Sequence, residues 1–200
     1  MAITTGYGFK PVQLIGGQSF SGGTLREFVV TPGSNTTPYG VGSLITIAAG
    51  VAKAVATSPV AIVGSTVNTN TPVGVMTGVR YTDPVYKQTV HAPYLPADST
   101  GYTNIFVKVV DDPDCLFQVR YEGTLTYTSI GSNVAVSFGT TSATTGNCKD
   151  YATGVATTLT LGFRIIDIVG SLTDSAGAAV TDIIVKCNAN THAYALQTGQ

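Results

Sequence analysis

Eleven carboxylates, two histidines and three cysteines are the groups in this 200-residue chain that could carry a reaction. His91 alternates with Thr89 and Pro93 along a strand-like stretch, and His192 sits near the C-terminal end. Neither accompanies a Gly-x-Ser-x-Gly turn, the strained elbow that presents a nucleophilic serine, so Ser-His-Asp chemistry lacks its central element. Cys115, Cys148 and Cys187 form no CxxC pair and no zinc-type Cys/His spacing, and no local motif singles out one of them as a nucleophile. Three thiols cannot all pair within one chain, so at least one is free or pairs between chains.

The densest acidic run is Asp111-Asp112-Pro113-Asp114. Carboxylates of this kind can hold Ca²⁺ or, as a pair, cleave a glycoside. Calcium loops, however, space their acids at alternate positions and add a glycine. The Asp-Pro pair recurs at Asp83-Pro84, which favours turn chemistry: Asp side chains accept from nearby amides while proline fixes φ. Glu27 and Glu122 are the only glutamates, so a general acid with a partner is hard to assemble. Gly40-Val41-Gly42-Ser43 lacks the lysine of a phosphate-binding loop. Ten tyrosines are scattered rather than set along a basic groove, and tryptophan is absent. The expectation is no catalytic residue, no metal, no cofactor and no enzyme activity.

Those residues would have to be positioned by a β-rich body. Charged residues make up 10% of the chain against 44% hydrophobic, and threonine is the commonest polar residue. Thr and Val are stiff at χ1 and suit pleated surfaces, whereas the helix-favouring Glu, Lys, Leu and Met are scarce. Helical bundles and coiled coils are excluded on that ground. A net charge of −1 argues against nucleic acid, whose phosphates call for clustered Lys and Arg. No run reaches the ~18 apolar residues of a membrane span, and no basic segment followed by an apolar core marks a signal peptide. A weakly charged chain near neutrality associates readily, so a partner or oligomer is expected.

Strand signals fall at Arg26–Val30, Leu44–Ala48, Val51–Ala56, Val60–Val63, Val73–Tyr81, Gln88–Tyr94, Ile105–Val110, Leu116–Tyr121, Leu125–Ser129, Val134–Phe138, Leu159–Val169 and Ile183–Cys187. Ala49-Gly50 makes the clearest hairpin turn, and Gly139–Gly154 reads as a polar loop. Helical turns fit after Asn190 or near Ser129–Val134. The fold expected is all-β, a small barrel or sandwich over 25–200, with two subdomains possible and a boundary near 95–125. Met1–Thr24 differs from the rest: glycines at 6, 8, 16, 17, 22 and 23 interrupt Tyr7, Phe9, Val12, Leu14, Ile15 and Phe20. So many apolar groups on so permissive a backbone give two readings, an arm laid on another subunit or a strand wrapping its own barrel. The arm is the expectation taken forward, with those six residues as its contacts.

The order of features carries a resemblance. Thr5-Gly6-Tyr7-Gly8-Phe9-Lys10-Pro11-Val12 leads into Val73–Tyr81, then Val109-Val110-Asp111-Asp112-Pro113-Asp114, then Ile183-Ile184-Val185-Lys186. This series resembles the capsid decoration (cement) and head structural proteins of tailed bacteriophages, especially marine podovirus-type phages. The resemblance implies a non-enzymatic virion protein, made in the host bacterial cytoplasm, on the outer capsid surface. Its partner would be the major capsid protein, with self-association as a trimer or dimer and no contact with nucleic acid or membrane. The alternative is a carbohydrate- or receptor-binding β module of a phage head or tail fibre.

Overall fold

The computed structural model describes residues 6–21, 25–55, 71–158, 160–169, 180–189 and 191–195. The strand expected at Val60–Val63 lies outside the described residues, as do Met1–Thr5 and Gly22–Thr24 of the expected arm. The architecture is all-β. In chain order the strands are β1 (Lys10–Leu14), β2 (Leu25–Val29), β3 (Tyr39–Gly40), β4 (Leu44–Ala48), β5 (Val51–Ala54), β6 (Gly74–Thr82) and β7 (Thr89–Ala92). They continue as β8 (Tyr94–Leu95), β9 (Thr103–Val110), β10 (Cys115–Glu122), β11 (Asn133–Ser137), β12 (Tyr151–Ala156), β13 (Phe163–Ile168) and β14 (Val180–Cys187). Among the described residues the helical content is two 3₁₀ turns, Tyr127–Ser129 and Ala193–Ala195.

Five strands close a barrel in the order β10-β12-β11-β13-β14, with β14 pairing back onto β10. The β10–β14 ladder is long, running from Leu116↔Lys186 to Glu122↔Val180, and a single parallel pair, Tyr121↔Ala152, closes the other side. The second sheet runs β2-β9-β6-β4-β5, with β7 also on β6, and β3 pairs β8 in a two-stranded ribbon. The β4–β5 hairpin turns at Ala49 and Gly50, both with positive φ (52° and 79°), as a two-residue type I′ connection requires. In β6, Val75 faces the barrel cluster while Met76, Val79 and Tyr81 all face the second cluster. Met76 and Val79, three residues apart, share a face because the register shifts between Met76 and Gly78, and the bulge reverses the alternation there.

Two of the sequence expectations fail locally. Leu125–Ser129 contains a 3₁₀ turn in place of a strand, with Thr126 in the capping position and Leu125 alone buried. The loop expected over Gly139–Gly154 ends in β12, whose Tyr-Ala-Thr-Gly-Val-Ala has no apolar run for a period-two pattern to register. It is held by pairing with β11, and the ladder slips by a residue between Val134 and Ala135.

The chain passes between the sheets at Asp111–Asp114, inside the stretch 95–125. Leu44, Val55, Val75 and Val110 of the second sheet belong to the same buried cluster as the barrel residues Phe117, Val134, Phe163 and Val185. The sheets therefore share a core. The second cluster, around Ile45, Met76, Val107 and Leu95, fills the far side of the second sheet.

Over its described part the N-terminal segment seats on this chain's own barrel. β1 lies antiparallel on β10, pairing Lys10↔Gln118 through Leu14↔Cys115, and Phe9 is 1% exposed in the barrel cluster. Its ring stacks on Phe163 at 5.0 Å and meets Phe117 edge-on at 6.4 Å. Removing such a ring from water stabilises by roughly 1.5–3 kcal/mol, and β1 satisfies amides and carbonyls that β10 would otherwise present to solvent. Gly8 makes this entry possible: at φ +78° a Cβ would lie 2.8 Å from the Gly42 carbonyl oxygen and 2.9 Å from Cys148 Cβ. Pro11, which lacks a donor, sits on this edge strand, where proline is tolerated.

Candidate functional site

Among the described residues the two histidines stand apart, His91 at the surface and His192 buried beside the acidic run. His91 stands on β7 opposite Arg80, exposed. His192 is 3% exposed; its Nδ1 accepts the Tyr194 amide at 3.2 Å, and burial lowers its pKa despite the opposing pull of Asp111 and Asp112. It pins the C-terminal segment to the second sheet, alongside the Ala193 amide that donates to the Pro72 carbonyl at 3.0 Å. The acidic run divides into structural roles. Asp111 takes Arg26 at 2.9 Å and the Tyr194 hydroxyl at 3.0 Å. Asp112 Oδ1 accepts the Asp114 amide at 2.8 Å, and Asp114 pairs with Lys186 at 2.7 Å. Among the described residues no three His, Cys, Asp or Glu side chains cluster as metal ligands, and no helix is long and apolar enough to cross a membrane.

Cys115, Cys148 and Cys187 are all free and buried, and desolvation pushes each thiol up to about 12. The nucleophile is the thiolate, so these are inert sulfurs in the native state. Iodoacetamide at pH 8 is expected to modify none of the three in the folded protein and all three in denaturant, as read by intact mass. Rapid native labelling of any one would contradict this packing.

One carboxylate does stand apart. Asp150 is 4% exposed in a cavity of about 220 Å³ where Ser43 and Val55 of the second sheet meet Phe138 and Thr141. The Gly139 amide donates to its Oδ1 at 3.2 Å, and the Cys148 thiol also hydrogen-bonds to it. Among the described residues no cation compensates its charge, and desolvation raises its pKa to about 6. Its own carbonyl accepts the Gly8 amide at 3.0 Å, so this acid sits where the N-terminal segment, the β3–β4 turn and the 139–150 loop converge.

The six contact residues expected from the sequence part company. Phe9 is core. Leu14 and Phe20 pack as half-buried side chains against the barrel cluster. Tyr7 is half-buried with Lys10 Nζ 4.1 Å from its ring centroid. Its hydroxyl is enclosed, and burial, then the Asp182 charge, pushes its pKa up. Val12 and Ile15 remain accessible at 40% and 48%.

Ile15 leads to the groove that the sequence did not indicate. About 490 Å³ in volume, it runs along the outer face of β13 and β14 between Ile15, Ile166 and Ala189, with Arg164, Lys186, Asn133 and Asn188 as its polar groups. Asn133 is buried, its amide nitrogen donating to the Thr158 carbonyl at 2.9 Å and its Oδ1 receiving Asn188 Nδ2 at 3.2 Å. Arg164 Nε reaches the same Oδ1 at 3.4 Å. No family model, curated protein or solved structure matches the chain. The groove is therefore interpreted from its own chemistry: apolar walls, a fixed amide pair and a guanidinium at the rim suit binding.

Proposed function

We propose that this chain is a virion structural protein that binds the outer surface of a phage capsid and cements or decorates the major capsid protein lattice. The observation that carries the reading is the pairing of a closed β body with an accessible Val12 and with Ile15 at the edge of an apolar groove. A chain with only 10% charged residues loses little side-chain entropy when it is immobilised in a lattice, since Lys, Arg and Glu are the residues with most rotamers to lose. Support also comes from the sequence resemblance. The reading places the protein on the capsid exterior, where self-association as a trimer or dimer at subunit junctions would add contacts.

A second reading, a carbohydrate- or receptor-binding module, draws on exposed tyrosines. Tyr86 is 77% exposed on a connection ordered by Asp83 Oδ1, which accepts the amides of Val85 and Tyr86 at 2.7 and 2.9 Å. Tyr127, 66% exposed, lies in the 3₁₀ turn that follows β10 of the barrel. Copy number per particle separates the readings. A cementing protein is expected in hundreds of copies, and particles carrying it should rupture at higher temperature than particles lacking it. Because apolar and backbone contacts dominate, attachment should persist at 1 M salt, where exposed ion pairs are screened to about 3 Å. Equal rupture temperatures would remove the cementing role, and a copy number in the tens would favour the fibre module.

A further inference from the structure

We infer that the Arg164 groove is a docking site for an acidic, apolar-flanked segment of a partner protein, with an Asp or Glu carboxylate on the Arg164 fork and a neighbouring apolar side chain between Ile15 and Ile166. The asymmetry among the four arginines is the basis. Arg26 pairs with Asp111 at 2.9 Å, Arg80 with Glu27 at 2.7 Å and Arg120 with Asp182 at 3.2 Å. Arg164 is exposed and, among the described residues, has no carboxylate within ion-pair distance; its one polar contact there is Nε to Asn133 Oδ1 at 3.4 Å. Both terminal nitrogens are thus left to donate to a ligand, and a planar guanidinium matches a carboxylate with two parallel hydrogen bonds.

The fork is also oriented beforehand. Asn133 is held by Thr158 and Asn188, and Asn188 Nδ2 in turn donates to the Leu161 carbonyl at 2.8 Å. This network fixes the oxygen on which Arg164 Nε rests, which reduces the ordering cost at binding. The other cation of the groove, Lys186, is engaged by Asp114. One free positive charge between two isoleucines fits a single carboxylate on an apolar segment better than a phosphate, which calls for several donors and more charge.

The inference rests on the capsid reading only for who supplies the segment. The chemistry is tested without particles, by NMR titration of the ¹⁵N-labelled full chain. The readouts are the Arg164 Nε–Hε signal and the Ile15 amide, and the probes are acetyl-Val-Glu-Val-amide, acetyl-Val-Gln-Val-amide, sodium acetate and inorganic phosphate. Acetyl-Val-Glu-Val-amide is expected to shift both signals with a Kd of about 1 mM, at least tenfold tighter than the other three probes. Arg164→Gln should abolish the response and Arg164→Lys weaken it several-fold, both with unchanged melting temperature. Equal binding of the two peptides would reduce the site to an apolar cleft. Acetate or phosphate binding as well as the acidic peptide would make it a general anion site, and an unresponsive Arg164 signal would remove it. A positive titration with a low particle copy number would sink the capsid reading alone; the converse would sink this one alone.

Discussion

Asp150→Asn is expected to raise the unfolding free energy at pH 7 by about 2 kcal/mol and to steepen the loss of stability on acidification. A carboxyl whose pKa stands at about 6 in the native state, against 3.8 for an ordinary aspartate, keeps a proton that the unfolded chain has already released. Its contribution is therefore fully present below about pH 4 and is lost as pH rises through about 6. At ~1.4 kcal/mol for each pH unit between those two values, the native-state penalty at neutrality amounts to about 3 kcal/mol. Asparagine removes the charge and keeps an oxygen for the Gly139 amide, while its nitrogen faces Cys148, whose sulfur is a weak acceptor; that mismatch returns part of the gain. His192 works in the other direction. Its pKa is lowered by burial, so its contribution is present above the ordinary imidazole range and disappears as acid forces a charge into a dry site. The wild type balances the two between pH 4 and 6, whereas the variant keeps only the acid-labile side. Urea unfolding at pH 4.5, 6 and 7.5 measures both profiles, and parallel curves would show that Asp150 does not carry this penalty.

Much of the β framework could be read from local chemistry. Ala49-Gly50 between two apolar runs locates a hairpin because only a mirror-image turn fits two residues there. Asp112 and Asp83 behave as turn acids because their side chains reach amides two or three residues on. What escaped has a physical reason in each case. β12 and β1 lack periodic apolar residues, so their strand state is supplied by partners distant in sequence, β11 and β10. Arg164 carries no local signal at all. Its significance comes from what does not lie opposite it, and that is decided by the pairing Asn133↔Arg164 and Arg164↔Lys186 across three strands. Asp150 is similarly silent in sequence, at the end of a polar stretch. Its burial depends on the closing of the second sheet over the barrel.

The N-terminal segment shows the limit most clearly, and it supplies the second large effect. Glycine content on its own could not separate an arm from a strand folded onto its own barrel, since both need a backbone free to follow another surface. The structure favours the second course for Phe9, enclosed between Phe163 and Phe117, and leaves Val12 and Ile15 on the outside. Phe9→Ala is therefore expected to cost about 3–5 kcal/mol, the range for truncating a buried aromatic, because backbone bonds from Gly8 to Asp150 and from Phe9 to Gly42 hold the neighbouring walls apart and prevent collapse of the cavity. Ile15→Ser should change stability by less than about 0.5 kcal/mol, as a surface substitution does, yet weaken attachment to particles more than tenfold. The two variants thus separate the segment's roles: one side chain completes the core and the other meets a partner. Denaturant unfolding beside a particle-binding assay reads both. If Phe9→Ala unfolds at the wild-type midpoint but fails to bind particles, the segment is an intermolecular arm after all, and its seat on β10 is where a neighbouring copy's segment would lie.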